Sequence, residues 1–573
     1  MVRNPIGLAV LRNAIRLPGV VDSGGVPNTP WINKDLIPLP PSRRTWNDWD
    51  FIGFWAVISL SISTWQACAA LLETGLNIWQ AMIACIVAKF LILLIAISHG
   101  YPGATWHIGY TVLSRATFGL WGSYLALFQR IVLCTVWYAV QSFTAAQCFS
   151  VFLSAIFPSF YHLRNTLPSS IPMDTKQLIS FFLYHAVSVP LLLTPPERLK
   201  TPFKVVSAIS AITILGTAVG SIVHAGGIDS KILAAMHTRT ETIGYVFVKA
   251  VNTVINSHAV GLSNQPDFSR FVSKPGQQIW GQAVSIMILG NVVPLLGLLA
   301  TAAAYKSFDS QLGSNLWNPP VILTCWLNES YSPKSRCATA FAALGFLIST
   351  MGLNTIDNGM SGGMDLAGVW PRYINIRKGT ILIAIVSIAI QPWYILQSAT
   401  IFLSVLSSYG LFLGPMIGVF TSDYFCVKKC NIKLSDLYYP RTSDNSGRSI
   451  YWYSHGINWR AYFAWVIGFL PGISGAASLN TNLTSKLPRQ IVRLFSVSFI
   501  IGYFVAFFAH WGISKVFPPS GIGEHDALDV FGTFTEEEAR ALGVQPLPSA
   551  ESEPDTVLQT VVADNEFKSL TVF

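Results

Sequence analysis

Apolar residues run along this chain in blocks of about twenty, set apart by short polar stretches containing Pro and Gly. Twenty residues of α-helix rise about 30 Å, the thickness of a bilayer's hydrocarbon core. The blocks predict about twelve membrane spans, near 51–72, 78–98, 123–153, 178–194, 203–225, 243–263, 279–304, 337–358, 379–391, 393–420, 460–479 and 491–516. Ionisable groups thin out inside them, as the cost of charge in lipid requires. The fold class expected is an all-α polytopic membrane protein.

Two spans break the apolar pattern. Span 1, FWAVISLSISTWQACAALL, bunches Ser59, Ser61, Ser63 and Thr64 near mid-membrane. Span 6, FVKAVNTVINSHAVGLSNQP, has Asn252, Asn256, Ser257 and His258 at a similar depth. Ser and Thr can simply bond back to their own helical turn. As a pair five spans apart, however, the two interruptions point to discontinuous helices at matching places in inverted repeats, with a binding site between them. The expected plan is a first five-helix repeat over 51–225, an inverted second over 243–420, and two additional helices over 460–516. Flanking them are an N-tail, 1–50, and a C-tail, 517–573, both read as disordered and cytoplasmic.

Composition agrees. The 573 residues are 51% hydrophobic and 11% charged, with mean hydropathy +0.47, where a soluble domain carries about 25% charged residues. A net charge of +9 does not indicate nucleic acid, because its placement follows the orientation bias of membrane proteins. With the N-terminus inside, the N-tail and even-numbered loops hold 22 Lys/Arg against nine in the outer loops. That places both termini in the cytoplasm of a multi-pass plasma-membrane protein. The sequons at Asn328 and Asn482 fall in outer loops. No short apolar stretch with a cleavage site marks a signal peptide. The eight cysteines form no CxxC pair, and neither HExxH nor a phosphate-binding GxxxxGK[ST] loop occurs, which disfavours a membrane enzyme or an ATP-driven pump.

Several strings together resemble the nucleobase-cation-symport family, in particular its fungal uracil, allantoin and thiamine permease branch within the purine-cytosine permease superfamily. They are RRTWNDWDFIGFW and STWQ around span 1, GATWHIGYTVLSRATFGLWG after span 2, WYAVQS in span 3, NQPDFSRF after span 6, MDLAGVWPRYINIRKG after span 8 and YGLFLGPMIGVFTSDYF in span 10. The resemblance implies a leucine-transporter-like fold of five plus five inverted helices. It also implies alternating access, a substrate site between spans 1, 3, 6 and 8, and proton coupling. The cargo implied is a small planar heterocycle: uracil, allantoin or uric acid, or alternatively a vitamin-like cation such as thiamine or nicotinamide riboside. A transport-inactive sensor would use the same pocket.

Residue by residue, Trp137 and Gln141 match the family's span 3 pair. Four residues apart, they share a helix face, an indole to stack on a ring and an amide to read its edge. Asn358 matches the substrate-binding asparagine of span 8, with Asn354 one turn earlier as a second. Ser61, Ser63, Thr64 and Trp65 of span 1, and Asn256 and His258 of span 6, are expected to line the pocket. His258 would either supply a second stacking face or bond the unwound backbone. The hydroxyls that sodium-coupled relatives use on span 8 correspond to Gly352 and Leu353, which favours H+ over Na+. No cofactor or metal is expected beyond that co-transported cation, with membrane lipid as the surroundings. Asp357 and Lys249 are the candidate proton-coupling groups, a structural Asp–Lys pair being the alternative. Asp267, Arg270 and Asp365 are candidates for a gate at the cytoplasmic end.

Overall fold

The computed structural model describes residues 31–546 apart from 195–197, 199, 236–240, 275, 313–314, 441–447 and 480–486. Asn482 and the outer parts of both tails lie outside the described residues. Among the described residues there is no β-strand, only isolated bridges. Eight helices are long and apolar enough to cross a membrane, or nine if the bent pair of span 1 counts as one. Predicted spans 4, 6 and 9 are also helical, at Thr175–Leu192, Ile243–Ser257 and Ile376–Ser387, but shorter or interrupted. A count of twelve holds only if these three cross as well.

Span 1 is broken as expected. Helix Asp48–Ser59 opens with a capping box on Asn47, and Ile62–Ala69 begins anew with Ser61 Oγ accepting from Thr64 N at 3.2 Å. The two halves bend by 49°. Span 6 is interrupted at His258 and again at Asn264, dividing it into Ile243–Ser257, Ala259–Ser263 and Gln265–Ser269. Span 8 carries a π-helical segment, Asn354–Met360, between Pro333–Leu353 and Ser361–Val369. Such segments widen a helix by one residue and mark functional sites.

Span 3, Ser123–Ile156, packs against spans 4, 8 and 9, while span 6 packs against span 2, Ile78–Trp106. Spans 10, 11 and 12 pack on one another. In span 10, Gly414 and Gly418 let span 12 approach: a Cβ at either would meet the carbonyl oxygens of Phe499 and Tyr503 at 2.4 and 2.3 Å. Small residues at a helix contact are how membrane helices gain van der Waals packing without a hydrophobic drive.

The inner parts of the tails correct the expectation of disorder. Trp31, Ile32, Leu36 and Leu39 are buried, as are Phe534 and Val544. A short helix, Glu536–Leu542, sets Glu538 on Arg44 at 2.7 and 2.8 Å. Arg44 in turn bonds His107 at the end of span 2. A few well-spaced apolar residues anchor a segment whose overall composition is polar, so averaged hydropathy missed them.

Candidate functional site

The interruptions of spans 1 and 6 meet span 3 and the π segment of span 8 around a narrow cleft. Ser61, Ser63, Thr64, Trp137, Gln141, Ser257, His258, Asp357 and Asn358 line it. The local sequence explains each placement. In span 1 the backbone freed by the break is held by hydroxyls, Thr64 Oγ1 donating to Ile58 O at 3.1 Å and Ser61 Oγ to Thr64 Oγ1 at 3.2 Å. Ser63 Oγ accepts from the Gln141 amide. On span 3 the indole of Trp137 is met by Phe402 and Tyr409 of span 10 at ring-centre distances of 6.3 and 6.0 Å, both roughly perpendicular.

The amides are held from one side only. Asn358 Nδ2 donates to Asn354 Oδ1 at 2.9 Å, and Asn354 Nδ2 is anchored by Tyr138 O, Ser142 Oγ and Tyr184 OH at 3.0–3.2 Å. That leaves Gln141 Oε1 and Asn358 Oδ1 buried with no hydrogen-bond partner. An unmet buried acceptor costs about 1–3 kcal/mol, so two of them beside an indole in one cleft describe a place for a flat molecule with N–H groups on its edge. Asp357 sits between these elements, its Oδ1 accepting from Asn264 Nδ2 at 3.0 Å while the same amide donates to Asp357 O at 2.9 Å.

Several expected residues stand elsewhere. Trp65 is fully buried but turns away from the cleft, its indole N–H donating to Thr301 at 3.3 Å. Asn256 is fully buried against Gly410 of span 10. Asn354 does not line the cleft either; it positions Asn358. Lys249 lies nine residues before the break, about 13 Å along the helix, and is absent from the cleft lining. Asp357 therefore pairs with Asn264, not with Lys249. His258 takes the backbone option: its Nδ1 lies 3.1 Å from Val254 O and 2.9 Å from Ser257 Oγ.

Beyond the cleft, Asp267 and Asp365 join a network on Arg130, which is fully buried in span 3. Arg130 bonds Asp267 Oδ2 at 2.6 Å and both oxygens of Asp365 at 2.5 and 2.6 Å. Its guanidinium lies 3.9 Å from the centre of the Tyr110 ring. Thr111 Oγ1 adds a bond to Asp365 at 3.1 Å and Tyr110 N one to Asp267 at 3.0 Å. Arg270 instead reaches Asp35 O at 3.0 Å and the carbonyl of Asp267 at 3.2 Å. Spans 3, 6 and 8 are thus tied together below the cleft. The two carboxylates, one on span 6 and one on span 8, were visible in the sequence; their shared arginine was hidden in an apolar run. Asn264 and Lys89 were missed as well, Asn264 although it opens the NQPDFSRF string.

Comparison with known proteins fits this arrangement. The permease family for cytosine/purines, uracil, thiamine and allantoin matches residues 38–502. Transporter aclS of Aspergillus oryzae is 35% identical over 584 aligned positions, covering 92% of this chain and 93% of that protein. The thiamine transporter of Saccharomyces cerevisiae is 30% identical, covering 90% and 84% of the two chains. The uracil permease of the same yeast is also 30% identical, covering 88% and 78%. Among solved structures, Mhp1, a nucleobase-cation-symport-1 family transporter in a closed conformation with bromovinylhydantoin bound, superposes with a TM-score of 0.64 at 18% identity, covering 89% of this chain and 99% of that one. The architecture is therefore the leucine-transporter-like one that the family resemblance implied. The chain is a multi-pass membrane transporter, not an enzyme, and belongs to the family of permeases for cytosine/purines, uracil, thiamine and allantoin.

Proposed function

We propose that this permease imports a neutral, N–H-bearing planar heterocycle, a nucleobase or ureide such as uracil, allantoin or uric acid, together with a proton. The observation that carries the reading is the pair of unpartnered buried oxygens, Gln141 Oε1 and Asn358 Oδ1, in the cleft beside Trp137. A lactam or ureide edge offers N–H donors to both, while the ring stacks on the indole. Ser61, Ser63, Thr64 and His258 complete the walls. A thiamine- or nicotinamide riboside-like cation, which an indole face also attracts, is the second reading, supported by the similarity to the yeast thiamine transporter.

For the coupling ion, the span 8 positions matched to the sodium-binding hydroxyls are Gly352 and Leu353, which carry none, while Ser349 Oγ is engaged in donating to Leu60 O at 3.3 Å. A Cβ on Gly352 would stand 2.8 Å from the side chain of Val206 in span 5. Asp357, a carboxylate in the cleft, is the group that takes the proton. The Arg130–Asp267–Asp365 network closes the route to the inner side and must part for release. The charge bias of the loops supports a plasma-membrane protein with both ends in the cytoplasm.

The test is uptake of radiolabelled uracil, allantoin, uric acid, thiamine and nicotinamide riboside in permease-deleted cells, each challenged by the others. Uptake of a neutral heterocycle, competed by its like and stimulated by an inward proton gradient, supports the reading. Saturable uptake confined to the cations overturns it, and binding without accumulation would mark a sensor.

A further inference from the structure

Lys89 stands in the middle of span 2 and is fully buried. Its Nζ lies 2.5 Å from His258 Nε2. The direction of that bond follows from the other ring nitrogen. Nδ1 lies 3.1 Å from Val254 O, and a carbonyl only accepts, so Nδ1 carries the hydrogen and Nε2 offers its lone pair. Lys89 is then the donor, and the pair holds one positive charge. Among the described residues no carboxylate forms an ion pair with it; beside it stand the thiols of Cys68 and Cys85.

A buried charge without a counter-ion is strongly disfavoured unless something else compensates it. The elements that meet it are the ends of two half-helices. His258 caps the C-terminal end of Ile243–Ser257, and Ser59 is the last residue of Asp48–Ser59. A Cβ on Gly290 of span 7 would stand 3.4 Å both from Lys89 Nζ and from Ser59 Oγ, so the ammonium and that hydroxyl flank one small gap. Ser59 Oγ is itself buried and unpartnered. Lys89 is thus flanked by side chains from the last residue or cap of both half-helices, His258 and Ser59, whose carboxyl ends each carry roughly half a negative charge. In transporters with broken helices such carboxyl ends are where the coupling cation is coordinated.

We infer that Lys89, held by His258, is a resident cation that fills the place between the two broken helices which a metal ion would otherwise occupy. This rests on the proposed transport function and deepens it: it explains how spans 1 and 6 hold their breaks without sodium. It makes no use of Asp357, whose proton would come and go while the lysine's charge stays. Lys89 is accordingly a positioning residue. Removing its side chain leaves a small gap between two electronegative helix ends, open to an external cation.

The experiment is uracil uptake into cells or proteoliposomes at fixed pH, in choline buffer and in buffers with Na+, Li+ or methylammonium. Wild type should take up substrate equally in all four; stimulation of wild type by Na+ or Li+ would overturn the inference, since the place would then be open. Lys89→Ala should lose roughly tenfold in choline, the scale of one helix-end charge contact, and recover when a small cation is supplied. Lys89→Arg should remain cation-independent. Lys89→Ala protein that reaches the surface and either transports normally in choline, or is rescued by none of the cations, would overturn it. Should the alanine variant fail to reach the surface, Lys89→Met, which fills the volume without the charge, should lose uptake in choline and gain nothing from any added cation; normal uptake by it, or rescue of it, would overturn the inference. A wild type that takes up no planar heterocycle from the panel rejects the transport reading instead, before any Lys89 variant is scored.

Discussion

Arg130 and Asp365 join span 3 to span 8 through two hydrogen bonds of 2.5 and 2.6 Å, seven residues along their helices from Trp137 and Asn358 respectively. The same two helices thus carry the proposed substrate-reading pair and, about 10 Å further along, the ionic tie. Any movement that separates the tie also shifts Trp137 against Asn358, so release and affinity are mechanically linked.

Removing one partner of this tie should be costly. Arg130→Gln leaves Asp267 and Asp365 buried without their cation, a loss of about 3–5 kcal/mol by analogy with other broken buried pairs. The expected outcome is a lower melting temperature in detergent and an uptake rate reduced at least tenfold. Asp365→Asn in the same background should recover part of the stability, because one uncompensated charge is gone. A double variant no more stable than the single would reject the linkage.

The cleft's two open oxygens give a sharper prediction. Gln141→Ala and Asn358→Ala should each raise the KM for a nucleobase or ureide by the equivalent of about 1–3 kcal/mol, with surface expression unchanged. Asn354→Ala acts one step back: Asn358 loses its anchor at 2.9 Å, and KM should rise less than on removing Asn358 itself. Equal KM in wild type and both direct variants, measured by concentration-dependent uptake, would remove the cleft as the substrate site.

The depth of the site was legible in the sequence; the direction each side chain faces was not. Polar residues in apolar spans announced both breaks. Yet each residue of a helix is rotated by about 100° from the last, and only packing decides which face meets the cleft. Trp65 and Asn256 lie at the right depth and face away, toward Thr301 and Gly410. Asn252 was part of the span 6 polar cluster, yet it serves span 12: its Nδ2 donates to Ser496 O at 3.0 Å and its Oδ1 accepts from Ile500 N at 3.2 Å. Span 8 was cut short at 358 although helix continues to Val369, because Gly-rich polar sequence through the π segment dilutes its hydropathy. Arg130 lies inside predicted span 3 but drew no role, because a lone charge in an apolar run has no visible partner when both its carboxylates come from distant spans.

Asp357 predicts the pH dependence of transport. As the proton-accepting group it must be protonated to load and deprotonated to reset, so wild-type uptake should fall as external pH rises. Asp357→Asn mimics the protonated form and keeps a hydrogen-bonding side chain next to Asn264. It should flatten the pH profile between pH 5 and 8, with substrate affinity retained. Uptake by this variant that still declines with rising pH as in wild type would assign the proton elsewhere.

The last prediction concerns the clamp between the two tails. Burial alone would raise the Glu538 carboxyl, but hydrogen bonds from His107, from Thr535 N and from Arg44 outweigh it and hold the group down at about 2. A carboxylate whose folded pKa is depressed contributes stability that is fully present above its unfolded value, about 4.3, and is lost as pH falls through the folded one. The docking of Glu536–Leu542 onto Arg44 should therefore be insensitive to pH near neutrality and weaken only below about pH 4. Glu538→Gln or Arg44→Ala should release the segment at neutral pH, because the first leaves Arg44, at 5% exposure, buried without its carboxylate and the second leaves Glu538 without its cation. Limited proteolysis of residues 517–546 reads this directly: fast cleavage in either variant and slow cleavage in wild type is the expected pattern. Equally slow cleavage in all three proteins would show that the apolar contacts of Phe534 and Val544 hold the segment without the ion pair.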